Sequence, residues 1–482
     1  MRSSIFIRSY FLMKCSKWKV LTIILPIVLP LLLWCIPSEW IPIKNLTLVE
    51  HRVLVILVMA AFLWVLEPIP IFATSIVLIM MELLFVSNKG LIWFVDKNIP
   101  NLGKTIEYNS IFANFGSPII LLFISGFFLA IGSSKYKLDL NLSRVFTRPF
   151  GKRPSLVILG LMLTTAFFSC FMSNTATTAM MLVIVAPILN LFPKGDKGQV
   201  ALCLSIPFAA NIGGLGTPIG TPPNAVAMNY LPNMQFGTWM LFGMPYVFIC
   251  IVLCWLILIW LYPITLKEIE LKIEGTFDKS WRALVFYGVF LLTVVLWLTG
   301  FWHGMNCYVV AMIPMGIFVA LKIITADEIK TMSWDVLWLI TGGLALGHAL
   351  EKSGLAQNII ESIPFESMSP LLIILIATAI TFLFSNFMSH SAAGNLLLPI
   401  VAVLGTTESL IPWGGKTILI LIVTFVCSLS MVLPISTPPN AMAHATGRIN
   451  TKEMIKAGLL VGFMGIILIY FYSYLLIPFI GQ

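Results

Sequence analysis

The chain has 482 residues, of which 59% are hydrophobic and only 10% charged, with a mean hydropathy of +0.99. Such values lie outside soluble usage and exclude a water-soluble globular domain in favour of a polytopic membrane protein. The formal net charge of +9 calls for no nucleic-acid partner, because the basic residues follow the loops of a membrane topology.

In chain order, Arg2, Arg8, Lys14, Lys17 and Lys19 precede an apolar run at 21–36. No small-residue cleavage site follows Cys35 and the next span begins soon after, so this segment reads as an uncleaved first helix. Runs that suit the roughly 20 helical residues of a crossing follow at 53–66, 71–86 and 117–134, then at 238–264, 284–300, 305–322, 336–350 and 455–477. Four other apolar stretches, 154–192, 200–230, 369–403 and 416–445, are broken by Ser/Asn/Thr or Gly/Pro clusters. No run of short alternating segments suggests a β-barrel.

If 154–192 and 369–403 are re-entrant hairpins and the other two broken stretches are single crossings, the fold is all-α with eleven transmembrane helices plus two hairpins. With the N-terminus inside, the segment 1–20 and the loops 135–153, 193–199, 265–282, 322–335 and 446–456 share the cytoplasmic side and hold 22 of the 29 Lys and Arg. This is the asymmetry the positive-inside rule requires, and it leaves the C-terminus outside. The eight cysteines form no CxxC pair and read as packing residues, Cys250 and Cys254 sharing a helix face.

The chain repeats itself. FSCFMSNTAT at 168–177 returns as FSNFMSHSAA at 384–393, Gly220-Thr221-Pro222-Pro223-Asn224-Ala225 as Ser436-Thr437-Pro438-Pro439-Asn440-Ala441, and Ile124-Ser125-Gly126 as Ile340-Thr341-Gly342, all at one offset of 216. We therefore divide the chain into a first segment with its helix (1–50), a first repeat (51–264), a cytoplasmic linker (265–282) and a second repeat (283–482). Five crossings per copy force the second to lie upside down, an inverted repeat of the kind that builds secondary transporters with a midplane site.

The broken segments carry the chemistry. The proline pairs cannot donate backbone hydrogen bonds or continue a helix, so backbone groups are freed there, and freed groups at membrane depth cost several kcal/mol each unless they face protein or a wet cavity. Ser169, Ser173, Ser385 and the Asn174 amide are hard oxygen ligands for an alkali cation, and exposed N–H groups at half-helix starts suit an anion. None of the four motifs holds an Asp, Glu, Lys or Arg, so a bound anion depends on neutral donors, helix ends and co-bound cations. His51, His303, His348 and His444 read as interfacial or packed, Glu67 as a helix end, and Glu82 as an intramembrane carboxyl without an assigned partner.

The SNT tip and the GTPPN-type loop, repeated as a pair, resemble those of the divalent anion/sodium symporter family, carriers of succinate, malate, 2-oxoglutarate, citrate or sulfate. That resemblance implies a homodimer in the cell (inner) membrane, with an elevator-like transport domain and two sodium sites flanking one carboxylate site. Carried over, the first sodium site takes Ser169, Ser173, Asn174 and Gly220, and the second takes Ser385, Met388, His390 and Ser436. The substrate meets Asn174, Thr175, Thr221 and Pro222 on one side and His390, Ser391, Thr437 and Pro438 on the other. Where the family repeats SNT, this chain has Ser389-His390-Ser391, and an imidazole offers no amide carbonyl to an ion. One sodium site is thus expected and the second is in question, which leaves sodium-independent exchange, or sulfate transport, as alternatives. A membrane enzyme or receptor on the same scaffold is the remote one, since the motifs offer one His and no carboxylate, metal cluster or P-loop.

Overall fold

A computed structural model describes residues 21–96, 98–193, 196–269, 276–362 and 368–480; the basic segment 1–20 lies outside them. Among the described residues the regular elements are helices, joined by one isolated bridge between Ser87 and Ile106. Leaving aside helical turns in the loops and the short helices Leu138–Thr147 and Leu355–Ser362, the first half runs α1 Leu21–Cys35, α2 Leu48–Leu66, α3 Ile71–Phe85, α4 Pro118–Lys135, α5 Pro154–Ser169, α6 Asn174–Leu189, α7 Lys197–Gly213, α8 Pro222–Tyr230 and α9 Phe236–Leu261. The second half runs α10 Trp281–Leu298, α11 Cys307–Ala320, α12 Trp334–Ser353, α13 Pro370–Phe387, α14 His390–Leu404, α15 Gly415–Leu429, α16 Pro438–Ala445 and α17 Thr451–Ile480.

The ends of these helices follow from local chemistry. Pro118, Pro154, Pro222, Pro370 and Pro438 each open a helix, where a missing N–H costs nothing and the fixed φ already suits the helix. Ser117, Ser173, Asp196, Ser280, Asn306, Ser369, Ser389 and Thr437 cap the next amides with their side chains, and Thr47 with Glu50 closes a capping box. All four breaks fall within the segments expected to be interrupted. Their mechanism differs in one respect: the proline pairs do not sit in the breaks but begin the half-helices α8 and α16, and the unwound residues are those just before them.

The packing between the halves is reciprocal. α3 lies against α12 as α11 lies against α4; α7 against α16 as α15 against α8; α6 against α16 as α14 against α8. An element of one copy meeting a different element of the other, in both directions, is the contact pattern of a two-fold relation. The loops sort into two groups by their own bonds. Lys135 pairs with Glu328 at 2.6 Å, Tyr136 Oη donates to Ile323 O, Ile269 N to Lys152 O and Arg448 to Asn190. Separately, Leu48 N donates to Asn101 O, Lys44 N to Ser362 Oγ and Asn358 to Glu50, while His348 meets Ser110. The first group joins segments in or next to loops expected on one side of the membrane, and the second joins segments expected on the other.

Cys170, Cys203, Cys250, Cys254 and Cys427 are buried and pack as expected, but Cys35 is exposed at the end of α1, a helix with few neighbours inside the protein. His51 and His303 bond to the carbonyls of Leu33 and Leu296, and His444 to Thr451, all structural contacts. Glu67 takes a left-handed conformation that ends α2. Glu82 is fully buried and neither carboxyl oxygen has a hydrogen-bond partner.

Candidate transport site

The hairpin tips and the helix breaks converge on one cavity of about 560 Å³. Ser173, Asn174 and Thr175 line it from the first tip, Ser389, His390 and Ser391 from the second, Gly220, Thr221 and Pro222 from the first break, and Ser436, Thr437 and Pro438 from the second. Of the remaining candidate residues, Ser169 is buried in contact with Asn174, whereas Ser385 and Met388 are buried and do not line the cavity. The facing wall is apolar, with Phe72, Phe123 and Phe127, while Phe171 of the first tip also lines the cavity, and the one charged lining side chain is Asp335. The aromatic wall and Asp335 carried no local signal in the sequence, because helices distant along the chain bring them there.

At the first tip, oxygens crowd. Ser169 Oγ lies 2.5 Å from the Asn174 amide and donates to Ala210 O at 2.7 Å. The amide faces Ala210 O, Gly220 O and Ser169 Oγ, all acceptors, and is satisfied when its nitrogen donates to them at 3.2, 3.2 and 2.5 Å. With its oxygen turned inward instead, the group becomes a ring of hard oxygens, the donor set that suits a hard cation. The chain folds tightly enough to do this because Gly214 and Gly220 touch: a Cβ on Gly220 would overlap Gly214 O. Among the described residues no cluster of three His, Cys, Asp or Glu could hold a metal; the donors suit an alkali ion and not a transition metal.

At the second tip, His390 is buried and its Nε2 lies 2.8 Å from Ser430 O. A carbonyl only accepts, so Nε2 carries the proton and is committed to the backbone. Ser436 Oγ donates to Asn386 O at 2.9 Å and accepts from Leu433 N at 3.1 Å. No crowding of acceptors around one amide, as at Asn174, occurs here.

For an anion, the donors are at the tips and in the threonines. The hydroxyls of Ser173 and Ser389 cap Ala176 N and Ala392 N, leaving the first amides of α6 and α14 free toward the cavity. At the breaks the prolines have no N–H to offer, which leaves the threonines before them as the donors. Thr437 Oγ1 accepts from Asn440 N and from Asn211 Nδ2, both at 3.2 Å, which leaves its own proton for a ligand.

Asn224 and Asn440 follow the two proline pairs at the same place in the repeat. Asn224 Nδ2 donates to Gly214 O and Thr217 O at 2.9 and 2.8 Å, and Asn440 Nδ2 to Met431 O and Leu433 O at 2.9 and 3.1 Å. Each amide thus holds the carbonyls that its helix break releases. Asn211 then bridges the copies through Thr437 and Asn440. Asn440→Ala is expected to cost about 2 kcal/mol or more by leaving buried carbonyls without their donor; a lowered melting temperature of the detergent-solubilised protein measures it, and an unchanged one contradicts the assignment.

A polytopic helical bundle with paired hairpins and broken helices meeting at one cavity, with uncharged tips and breaks, defines a membrane transporter. Residues 61–414 match the citrate transporter family, CitMHS. The chain is 30% identical over 470 residues, covering 88% of it and 86% of the relative, to the sodium-dependent dicarboxylate transporter SdcS of Staphylococcus saprophyticus. It is 27% identical over 469 residues, 89% of it and 86% of the relative, to SdcS of Staphylococcus aureus. The crystal structure of the Alcanivorax borkumensis YdaH transporter shares the fold at 12% identity and a TM-score of 0.50, over 77% of this chain and 88% of that one. This chain belongs to the citrate transporter family, among the divalent anion/sodium symporters.

Proposed function

We propose that the protein is a secondary active carrier of di- and tricarboxylate-type anions, coupled to sodium and working by an elevator-like movement of the hairpins and broken helices. The observation that carries this reading is the single cavity in which both tips and both breaks meet without a charged side chain among them. In this reading the sodium ion is carried with the substrate. Ser169, Ser173, Asn174 and the Gly220 carbonyl hold it, and the crowded acceptors around Asn174 support that assignment. The anion spans Asn174, Thr175, Thr221 and Pro222 on one side and His390, Ser391, Thr437 and Pro438 on the other. The names of the SdcS relatives support both dicarboxylate and sodium.

The second reading is sodium-independent exchange of dicarboxylates. It is favoured by one observation, that His390 gives Nε2 to Ser430 O and has no carbonyl to offer; a second ion at Ser385, Met388 and Ser436 would lack the tip ligand. Uptake of labelled succinate into proteoliposomes separates the two. Stimulation by an inward sodium gradient supports symport, stimulation by internal dicarboxylate alone supports exchange, and uptake of neither succinate nor citrate overturns the carboxylate assignment.

The repeats 51–264 and 283–482, with the linker 265–282, are proposed as inverted copies in a homodimer of the cell (inner) membrane, N-terminus inside and C-terminus outside. The sorting of loop contacts into two groups supports the topology, and the Lys/Arg count assigns the basic group to the cytoplasm. A cysteine placed in 135–153 is expected to react only from the cytoplasmic side and one in 87–116 only from outside. Labelling of both from one face would mean that α4 does not cross.

A further inference from the structure

The two-fold exchange of contacts fails at one place. α14 lies along α12, and α8 also touches α12, whereas their counterparts α6 and α16 make no comparable contact with α4 among the described residues. The offset of 216 names the residues responsible. On α12, Gly343 and Gly347 stand one helical turn apart: a Cβ on Gly343 would overlap the Asn395 amide, and one on Gly347 the Tyr230 hydroxyl, with Pro399 Cγ 3.3 Å away. Asn395 Nδ2 donates to Leu339 O at 2.8 Å, and Asn395 and Tyr230 are both buried.

The corresponding positions are Phe127 and Ile131 on α4 and Ala179 on α6 in the first copy and, for Tyr230, Thr446 just after α16 in the second. There is no glycine notch and no amide. Val183, the counterpart of Pro399, is correspondingly 74% exposed.

We propose that Asn395, Tyr230 and the Gly343/Gly347 notch form a latch that holds the second hairpin against α12 and selects this arrangement over its pseudo-symmetric alternative, with α6 docked on α4. In the alternative, Ala179 has to meet Phe127 with no hydrogen bond and no space made for it. The latch is also releasable. Asn395 Oδ1 and Tyr230 Oη are buried without partners, so docking gains one hydrogen bond and close packing but leaves two polar atoms unsatisfied. The proposal rests on the alternating-access reading given above, but its test requires no transport.

The test uses the pair Phe127→Cys and Ala179→Cys in the full-length protein in membrane vesicles, oxidised with copper phenanthroline and read by mass spectrometry of the bridged peptides. Adding Asn395→Ala is expected to raise the bridging rate roughly 2- to 10-fold, the population shift that one hydrogen bond supports. Gly347→Ala is expected to do the same by pushing against the Tyr230 hydroxyl. Tyr230→Phe added to Gly347→Ala restores the low rate, since the nearest atoms left to the new methyl are Tyr230 Cζ at 3.2 Å and Pro399 Cγ at 3.3 Å. That rescue also separates the latch from a simple folding defect. Equal rates in all variants, or no bridging in any, overturn the latch. Shifted rates in a protein that takes up no carboxylate leave the latch standing and overturn only the substrate assignment.

Discussion

Asn174→Ala is expected to lower carboxylate uptake by roughly 100-fold or more, and Thr437→Ala by a comparable factor, with normal expression and assembly. One or two charge-assisted contacts of about 1.5–3 kcal/mol each account for losses of that size. Asn174 sits where Ser169, Ala210 O and Gly220 O converge, and it also lines the cavity, so on the proposed reading its removal takes away an ion ligand and a substrate donor together. Thr437 differs in kind. Its oxygen already accepts twice, from Asn440 N and Asn211 Nδ2, and its proton is the part left for the anion. Thr437→Ser keeps that hydroxyl and is expected to keep most of the uptake, while Thr437→Ala loses it. Full retention by both alanine variants would show that the twin tips and breaks do not form one site.

What the sequence could show depended on how locally each feature was encoded. The breaks were legible because proline, glycine and serine clusters interrupt apolar runs within a few residues of themselves, and the site was legible because the chain carries it twice in one register. The exact place of the proline pairs was not, since Pro-Pro disfavours a helix only behind itself and serves equally well as the first turn of a new one. Asn224 and Asn440 stood in plain view, but their partners are carbonyls up to ten residues upstream that become free only once the helix has broken. Asn395 gave no signal at all: its partner, Leu339 O, is 56 residues away and carries no side-chain identity. The aromatic wall of the cavity failed to show for the same reason, as Phe72 and Phe123 look like any lipid-facing or core residue until α3 and α4 are placed across from the tips.

Glu82 marks the other limit. Intramembrane carboxyls face a partner or a wet cavity as a rule, yet this one is buried with both oxygens unbonded and it lines none of the tip cavity. It belongs to α3, which packs against α12, the same helix that receives Asn395 and Tyr230 on another face. α12 therefore joins the element carrying the unexplained carboxyl to the elements that hold the tips.

His390→Asn is expected to change the ion dependence of transport rather than its existence. In the protein as it stands, the first tip presents an amide to three acceptors, while the second presents an imidazole whose Nε2–H is already given to Ser430 O. With Nε2–H given to Ser430 O, the ring offers a lone pair only at Nδ1, in place of the hard amide oxygen available at the first tip; on the proposed reading the second tip therefore lacks a sodium ligand of that kind. Uptake by the wild type should then rise with sodium as a single-site process. Restoring asparagine supplies the missing carbonyl oxygen beside Ser385 and Ser436, and the sodium response should steepen toward a two-site dependence, a Hill coefficient moving from about 1 toward 2. The measurement is succinate uptake at fixed pH over a sodium series with constant ionic strength, so that screening does not imitate coupling. A variant that transports with an unchanged sodium profile would mean that His390 only stands in for the asparagine as a neutral hydrogen-bonding group, and that the difference between the two tips has no bearing on the coupling ion.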